Sequence, residues 1–225
     1  TSGRYDMLRH VLDLRVDPSD RSVVGAVQMV FASGYAGLTD FVFDCGANLT
    51  VASVSHASGA LAYSHQADSV VVTLPAAMDV GAVDSVVVQY SSTLTSPVRN
   101  RGLMFKTHFE DPNDNTSALV PMIASMSQPA YAQAWWPCKD RPDDKFLMRM
   151  NVTVPDTLVG ISNGNLLGVV AADPGWRRYS WQEDYPIASY LVSLAITDYR
   201  ELASDCVTTL GTDVPLHNWV FPASE

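Results

Sequence analysis

At 225 residues the chain is long enough for one large domain or two small ones, and a compact domain of this size hides roughly 70–75% of its unfolded surface. Hydrophobic residues make up 47% of it and charged residues 17%, the balance of a globular protein and not of a disordered one. The net charge of −10 argues against a nucleic-acid binder, which needs a basic face, and no apolar run approaches the roughly 18–20 residues of a membrane span.

Taken in chain order, period-two alternation dominates. His10, Leu12, Leu14 and Val16 alternate with Val11, Asp13 and Arg15, a half-buried strand ended by Asp17-Pro18-Ser19-Asp20. Val23 to Phe31 follows as the second arm of a hairpin. Phe41 to Asp44 and Leu49 to Ser55 are short strands around a Cys45-Gly46-Ala47-Asn48 turn. Leu61 to Ser64 and Ser69 to Leu74 flank a Gln66-Ala67-Asp68 turn. Val83 to Tyr90 is β-branched and apolar, which predicts a central strand. Residues 91–117 read as a long polar loop with one apolar piece, Gly102 to Phe105. Further strands are expected at Phe146–Val154, Leu158–Ser162, Leu166–Ala171, Arg178–Gln182, Ser189–Ile196 and Val214–Val220. Only Ala130 to Ala134 has helix-friendly composition, about one turn. Strands at short spacing with turn signals between them predict an all-β, sandwich-type single domain over 1–225.

The stretch richest in special residues runs from Gln128 to Lys145. Trp135 and Trp136 bring large apolar area and indole N–H groups that need partners when buried. Pro137 and Pro142 hold the chain in a non-helical path. Asp140, Asp143 and Asp144 stand beside Lys139, Arg141 and Lys145, which predicts ion pairs. Two tryptophans next to each other on an extended chain face opposite ways, so packing against a core is a better reading than a sugar-stacking platform. Cys138, with no histidine near it in sequence, reads as a small buried thiol.

Gln128-Pro129 followed by Trp136-Pro137-Cys138-Lys139-Asp140-Arg141-Pro142 resembles a motif in the N-terminal β-domain of aminopeptidase N-like zinc metallopeptidases. Weaker matches arrive in family order: Tyr5-Asp6 through Leu14, Gly102 to Phe105, Ile161-Ser162-Asn163-Gly164, and Tyr185 to Leu191. The resemblance implies a large, saddle-like β-domain that walls the active site of a longer enzyme. That enzyme would release N-terminal residues from peptides, with its zinc held in a catalytic domain beyond this sequence. In the family an acidic residue or glutamine at the position of Gln128 helps hold the substrate's free α-amino group. An ammonium offers three donors, and Gln128 answers with a neutral carbonyl oxygen where a glutamate would add charge. The structural alternative is that Gln128 only ends a strand.

The chain itself carries none of the hydrolytic chemistry. No histidine among His10, His56, His65, His108 and His217 begins a His-Glu-x-x-His, the helical pattern that offers zinc two nitrogens on one face. No metal or other cofactor is therefore expected within it. His108-Phe109-Glu110 with Pro137-Cys138 is similar to the zinc deaminase signature, but Arg141 stands where that signature needs a second cysteine. Cys45, Cys138 and Cys206 are an odd number, compatible with one disulfide or with three thiols, so the compartment stays open between cytoplasm and an exported location. The start at Thr1 without a methionine predicts a processed or trimmed product. The partners implied by the resemblance are a peptide N-terminus and the catalytic domain, to which an exposed apolar patch would dock. The rival expectation is a free-standing β-sandwich that binds a protein or a glycan.

Overall fold

The structure is a computed structural model that describes residues 4–93, 101–202, 205–209 and 211–222. Thr1 and the middle of the 91–117 segment lie outside the described residues. The chain is all-β, with one 3-10 turn at Ala132–Ala134 and another at Ser189–Leu191. The alternation near the start becomes β1 (Tyr5–Asp17) and β2 (Ser22–Ser33), an antiparallel hairpin whose inner residues are every second one. Asp17 closes its turn by accepting from the Ser19 amide at 2.9 Å. Then come β3 (Leu38–Asp44), β4 (Thr50–His56), β5 (Gly59–Ala60), β6 (Tyr63–Gln66), β7 (Ser69–Met78) and β8 (Val83–Thr93). Next are β9 (Gly102–Phe109) and β10 (Leu119–Met126), which lead into the tryptophan segment. Beyond it lie β11 (Lys145–Pro155), β12 (Val159–Ser162), β13 (Asn165–Ala171), β14 (Trp176–Ala188) and β15 (Leu194–Thr197). The last strands are short: β16 (Arg200–Glu201), β17 (Asp205–Thr209), β18 (Thr212–Leu216) and β19 (Trp219–Val220).

Eight strands form one mixed sheet in the order β13-β14-β11-β1-β2-β8-β4-β5, in which β1 and β11 run parallel. As its composition predicts, β8 is interior, paired with β2 on one side and β4 on the other. A four-stranded sheet β12-β15-β10-β9 and a three-stranded sheet β3-β7-β6 lie over the buried face of the large one. Phe41 of β3 meets Tyr5 at 4.7 Å and stacks on Phe31 at 4.0 Å between ring centroids. On the other flank Trp181 donates its indole N–H to the Gly160 carbonyl at 2.9 Å, and Tyr179 its hydroxyl to Leu158 at 3.2 Å. These bonds answer the polar handles that large aromatics bring into a core. The core thus runs continuously from one small sheet to the other.

Several expectations differ from the outcome, among them the single strand expected at Val214–Val220, which divides into β18 and β19. Leu119–Met126, with Pro121 inside an unbroken apolar run, gives no period-two signal, yet it forms β10. Lying between β9 and β15, it is of intermediate burial along most of its length and has no clean inside-outside alternation for the sequence to show. The apolar piece 102–105 extends to Phe109 as β9, and the stretch from Ser189 starts as a 3-10 turn before β15.

Candidate functional site

The tryptophan segment is a clamp inside the core. After the 3-10 turn both indoles point inward and are fully buried, with centroids 6.0 Å apart and rings inclined at 63°. The chain bends at Trp135, so the opposite-facing arrangement of an extended pair does not occur; the expectation of packing holds for a different geometric reason. Trp135 donates its indole N–H to the Ser127 hydroxyl at 3.0 Å. Trp136 meets His10 edge-on at 5.0 Å, and His10 meets Phe146 at 4.3 Å. His10 is completely buried and neither ring nitrogen has a hydrogen-bond partner among the described residues; burial pushes its pKa down to about 3.

Beyond the tryptophans the segment is tied to two strands, to β3 through its backbone and to β1 through the Lys139 and Asp144 side chains. Cys138 and Asp44 exchange both backbone hydrogen bonds, at 2.7 and 2.9 Å. Both Cys45 and Cys138 are buried thiols, and burial raises the pKa of each, that of Cys45 to about 12. Lys139 forms a buried ion pair with Asp144, donates to the Tyr5 carbonyl at 2.7 Å and lies over the Tyr5 ring. Asp144 also accepts from the Met7 amide at 3.2 Å. Arg141 and Asp143 pair in the open with two parallel bonds of 2.9 and 3.0 Å. The predicted pairing is incomplete. Asp140 takes no cation; it accepts from the Ser189 hydroxyl at 2.9 Å and the Gln133 amide at 3.3 Å, and desolvation raises its pKa. Lys145 pairs with none of the three aspartates among the described residues.

Gln128 is different in kind. It is exposed, and its side chain makes no hydrogen bond among the described residues. It follows β10 directly and is joined to Pro129 by a cis peptide. The turn beneath it is closed by Tyr131 N–H donating to the Ser127 carbonyl at 2.8 Å, while the buried Ser127 hydroxyl takes the Trp135 indole. The clamp therefore fixes the backbone on either side of a free amide.

Two neighbours frame this tip. On one side β9 pairs with β10, Gly102 opposite Met126. Gly102 has φ +79, and a Cβ there would sit 3.0 Å from that of Ala134, so only glycine lets β9 start this close to the 3-10 turn. Arg101, just before it, places its guanidinium carbon 4.5 Å from the centroid of the Tyr131 ring. On the other side β15 pairs with β10, and the turn Ser189–Leu191 precedes β15. The Ser-Asn-Gly turn after β12 anchors it: Asn163 donates to the Leu191 carbonyl at 3.1 Å and accepts from the Ser193 amide at 2.6 Å. Gly164, at φ +80, lies where a Cβ would overlap the Gln182 carbonyl. Met126, two residues before Gln128, and Leu191, in the turn before β15, are exposed apolar residues. Tyr131 lies within the Gln128–Lys145 stretch and Leu191 ends the Tyr185–Leu191 match, whereas Arg101 carries no motif of its own and is placed by the contact with the Tyr131 ring.

The metal-ligating residue types are dispersed. His56 binds Asp84, His65 the Cys45 carbonyl, His108 Asp198 and His217 Glu201, each at a separate place, and His10 is sealed in the core. Among the described residues no three histidine, cysteine or acidic side chains converge on one point.

Comparison with known proteins places these features. Residues 2–191 match the family model of the Peptidase M1 N-terminal domain. Leukotriene A-4 hydrolase of Xenopus laevis is 25% identical over 218 residues, covering 93% of this chain and 34% of that protein. Leucine aminopeptidase 2 of Pyricularia oryzae is 32% identical over 87 residues, 39% of this chain and 14% of its own length. The M1 zinc metallopeptidase of Deinococcus radiodurans has the same fold over 94% of this chain and 46% of that one, with TM-score 0.79 and 20% identity. A mutant of it carrying a Tyr-Ser-Ala substrate gives TM-score 0.78 at 19% identity, over 96% of this chain and 47% of that chain. The chain spans less than half the length of each of these proteins. Its fold, its proline-cysteine clamp and the match over most of its length agree: this chain belongs to the Peptidase M1 N-terminal domain family.

Proposed function

We propose that this domain forms one wall of the active site of a longer zinc aminopeptidase, whose catalytic domain lies outside the 225 residues, and that Gln128 receives the substrate's free α-amino group. One observation carries the reading: Gln128 is an exposed amide without a partner among the described residues, on a turn closed by the Tyr131 N–H to Ser127 carbonyl bond and braced by the Trp135 indole on the Ser127 hydroxyl. Its carbonyl oxygen is free to accept from an ammonium, and because the turn is pre-formed little ordering entropy is lost when it does. The catalytic domain would contribute the metal and the hydrolytic step; this domain binds and orients the amine end of the peptide. Exposed Met126 and Leu191 supply apolar surface suited to meeting another domain or a substrate side chain.

The test uses the full-length protein encoded with this domain. Gln128→Ala removes one hydrogen bond to a charged group, expected to lower kcat/KM on amino-acid anilides about 10- to 100-fold, mainly through KM. Gln128→Glu adds charge assistance and is expected to lower KM. Unchanged kinetics in both variants would remove Gln128 from substrate binding. Absence of a His-Glu-x-x-His in the coding sequence downstream would favour a free-standing binding module instead.

A further inference from the structure

Arg101 is a cation in an otherwise uncharged frame. Residues 117–138, which include β10, the Gln128 tip and the 3-10 turn, contain no charged side chain, and neither do residues 185–197 on the opposite flank. Arg101 directly precedes Gly102, which pairs with Met126, two residues before Gln128. The guanidinium is laid over the Tyr131 ring at 4.5 Å, and no carboxylate pairs with it among the described residues. Stacking pre-orients the fork and leaves its N–H groups available, and an arginine stays charged at any physiological pH. Asp140, in the clamp, is buried with its two oxygens already accepting from Ser189 and Gln133.

This arrangement sets a field at the place where a peptide's amine end would rest. A bare ammonium beside a neutral Gln128 is opposed by Arg101; a carboxylate on the same terminal residue is attracted and matches the fork geometry of the guanidinium. We infer that Arg101 is a specificity-determining residue that favours peptides whose first residue carries an acidic side chain and disfavours a basic one. The inference rests on the reading of Gln128 as the amine-binding residue. Acting through partly screened space, a single charge is worth on the order of a tenfold preference.

The experiment compares kcat/KM of the full-length protein on glutamyl, glutaminyl and lysyl 4-nitroanilides, which differ little in size. The glutamyl-to-lysyl ratio is expected to exceed about tenfold, to shrink as sodium chloride is raised, and to fall about tenfold in Arg101→Gln. Arg101→Lys should keep most of the preference, Arg101→Glu should reverse it, and Arg177→Gln, the same charge change at the far end of β14, should leave the ratio alone. A ratio indifferent to Arg101→Gln and Arg101→Glu, while Gln128→Ala still impairs hydrolysis, overturns this inference and spares the reading of Gln128. A wild-type protein that prefers the lysyl substrate overturns it as well. No hydrolysis of any of the three removes both.

Discussion

The clamp from Trp135 to Asp144 and the rim around Gln128 belong to one continuous stretch of chain and have opposite physical characters. In the clamp most polar groups are spoken for: Lys139 by Asp144 and the Tyr5 carbonyl, Asp140 by Ser189 and Gln133, the Trp135 indole by Ser127; the buried Trp136 indole N–H is the exception, with no partner among the described residues. At the rim Gln128 has no partner among the described residues, and Arg101 has only the face of an aromatic ring. Buried polar groups left unpaired cost stability, whereas exposed ones cost nothing and remain available to a ligand. The residues that look most like chemistry are scaffold, and a plain glutamine at the edge of it is the candidate for contact.

If that contrast is right, the largest stability loss comes from breaking the clamp's ion pair. Asp144→Ala leaves Lys139 buried without its counter-charge and is expected to cost about 3–5 kcal/mol in urea unfolding. Replacing both partners together, Lys139→Met with Asp144→Leu, should recover much of that. A double replacement as damaging as the single one would show that the charge itself matters less than the bonds to Tyr5 and Met7.

Next in size is an effect of pH. His10 has a folded pKa of about 3 against an ordinary value of 6.5, so the unfolded chain binds a proton that the folded one refuses. Stability is therefore lost as pH falls from about 6.5 towards about 3, by several kcal/mol across the window, since each unit is worth about 1.4 kcal/mol. The raised carboxyl groups of Asp44 and Asp140 act in the opposite sense, because the folded state takes up their protons more readily in acid. His10→Leu removes two unpartnered nitrogens from an aromatic box and should flatten the acid side of the profile measured by urea midpoints. An unchanged slope would place the acid sensitivity elsewhere.

A smaller effect joins the two regions. Ser127→Ala deprives the Trp135 indole of its acceptor, at a cost of about 1–3 kcal/mol, and loosens the turn that presents Gln128. In the full-length protein this should raise KM together with the stability loss. Smallest of all, Gln128→Ala should change stability by no more than about 0.5 kcal/mol, because nothing in the fold depends on that side chain. A larger loss would mean that Gln128 belongs to the scaffold after all.

Much of the fold was legible in the residue pattern, for local reasons. Alternation in residues 10–16 and 23–31 marks the β1–β2 hairpin, and β-branched content from Val83 marks an interior strand. What stayed hidden is β10, because Pro121 and continuous apolarity erase the period that reveals a half-exposed strand. With β10 hidden, so was the register that pairs Gly102 with Met126 and β15 with β10. Arg101 sits in a polar stretch with no motif, so no spacing rule could have singled it out.

The sequence by itself determined the all-β class, the position of the clamp and the candidacy of Gln128, because periodicity, turn residues and motif spacing are properties of neighbours along the chain. Only the tertiary structure decided that both tryptophans face inward, that Lys139 is paired with Asp144 while Asp140 takes neutral donors, and that an arginine stands at the rim. Those outcomes depend on which distant strands pair and in what register, and on which polar groups find partners once water is excluded, and a one-dimensional pattern does not encode either locally.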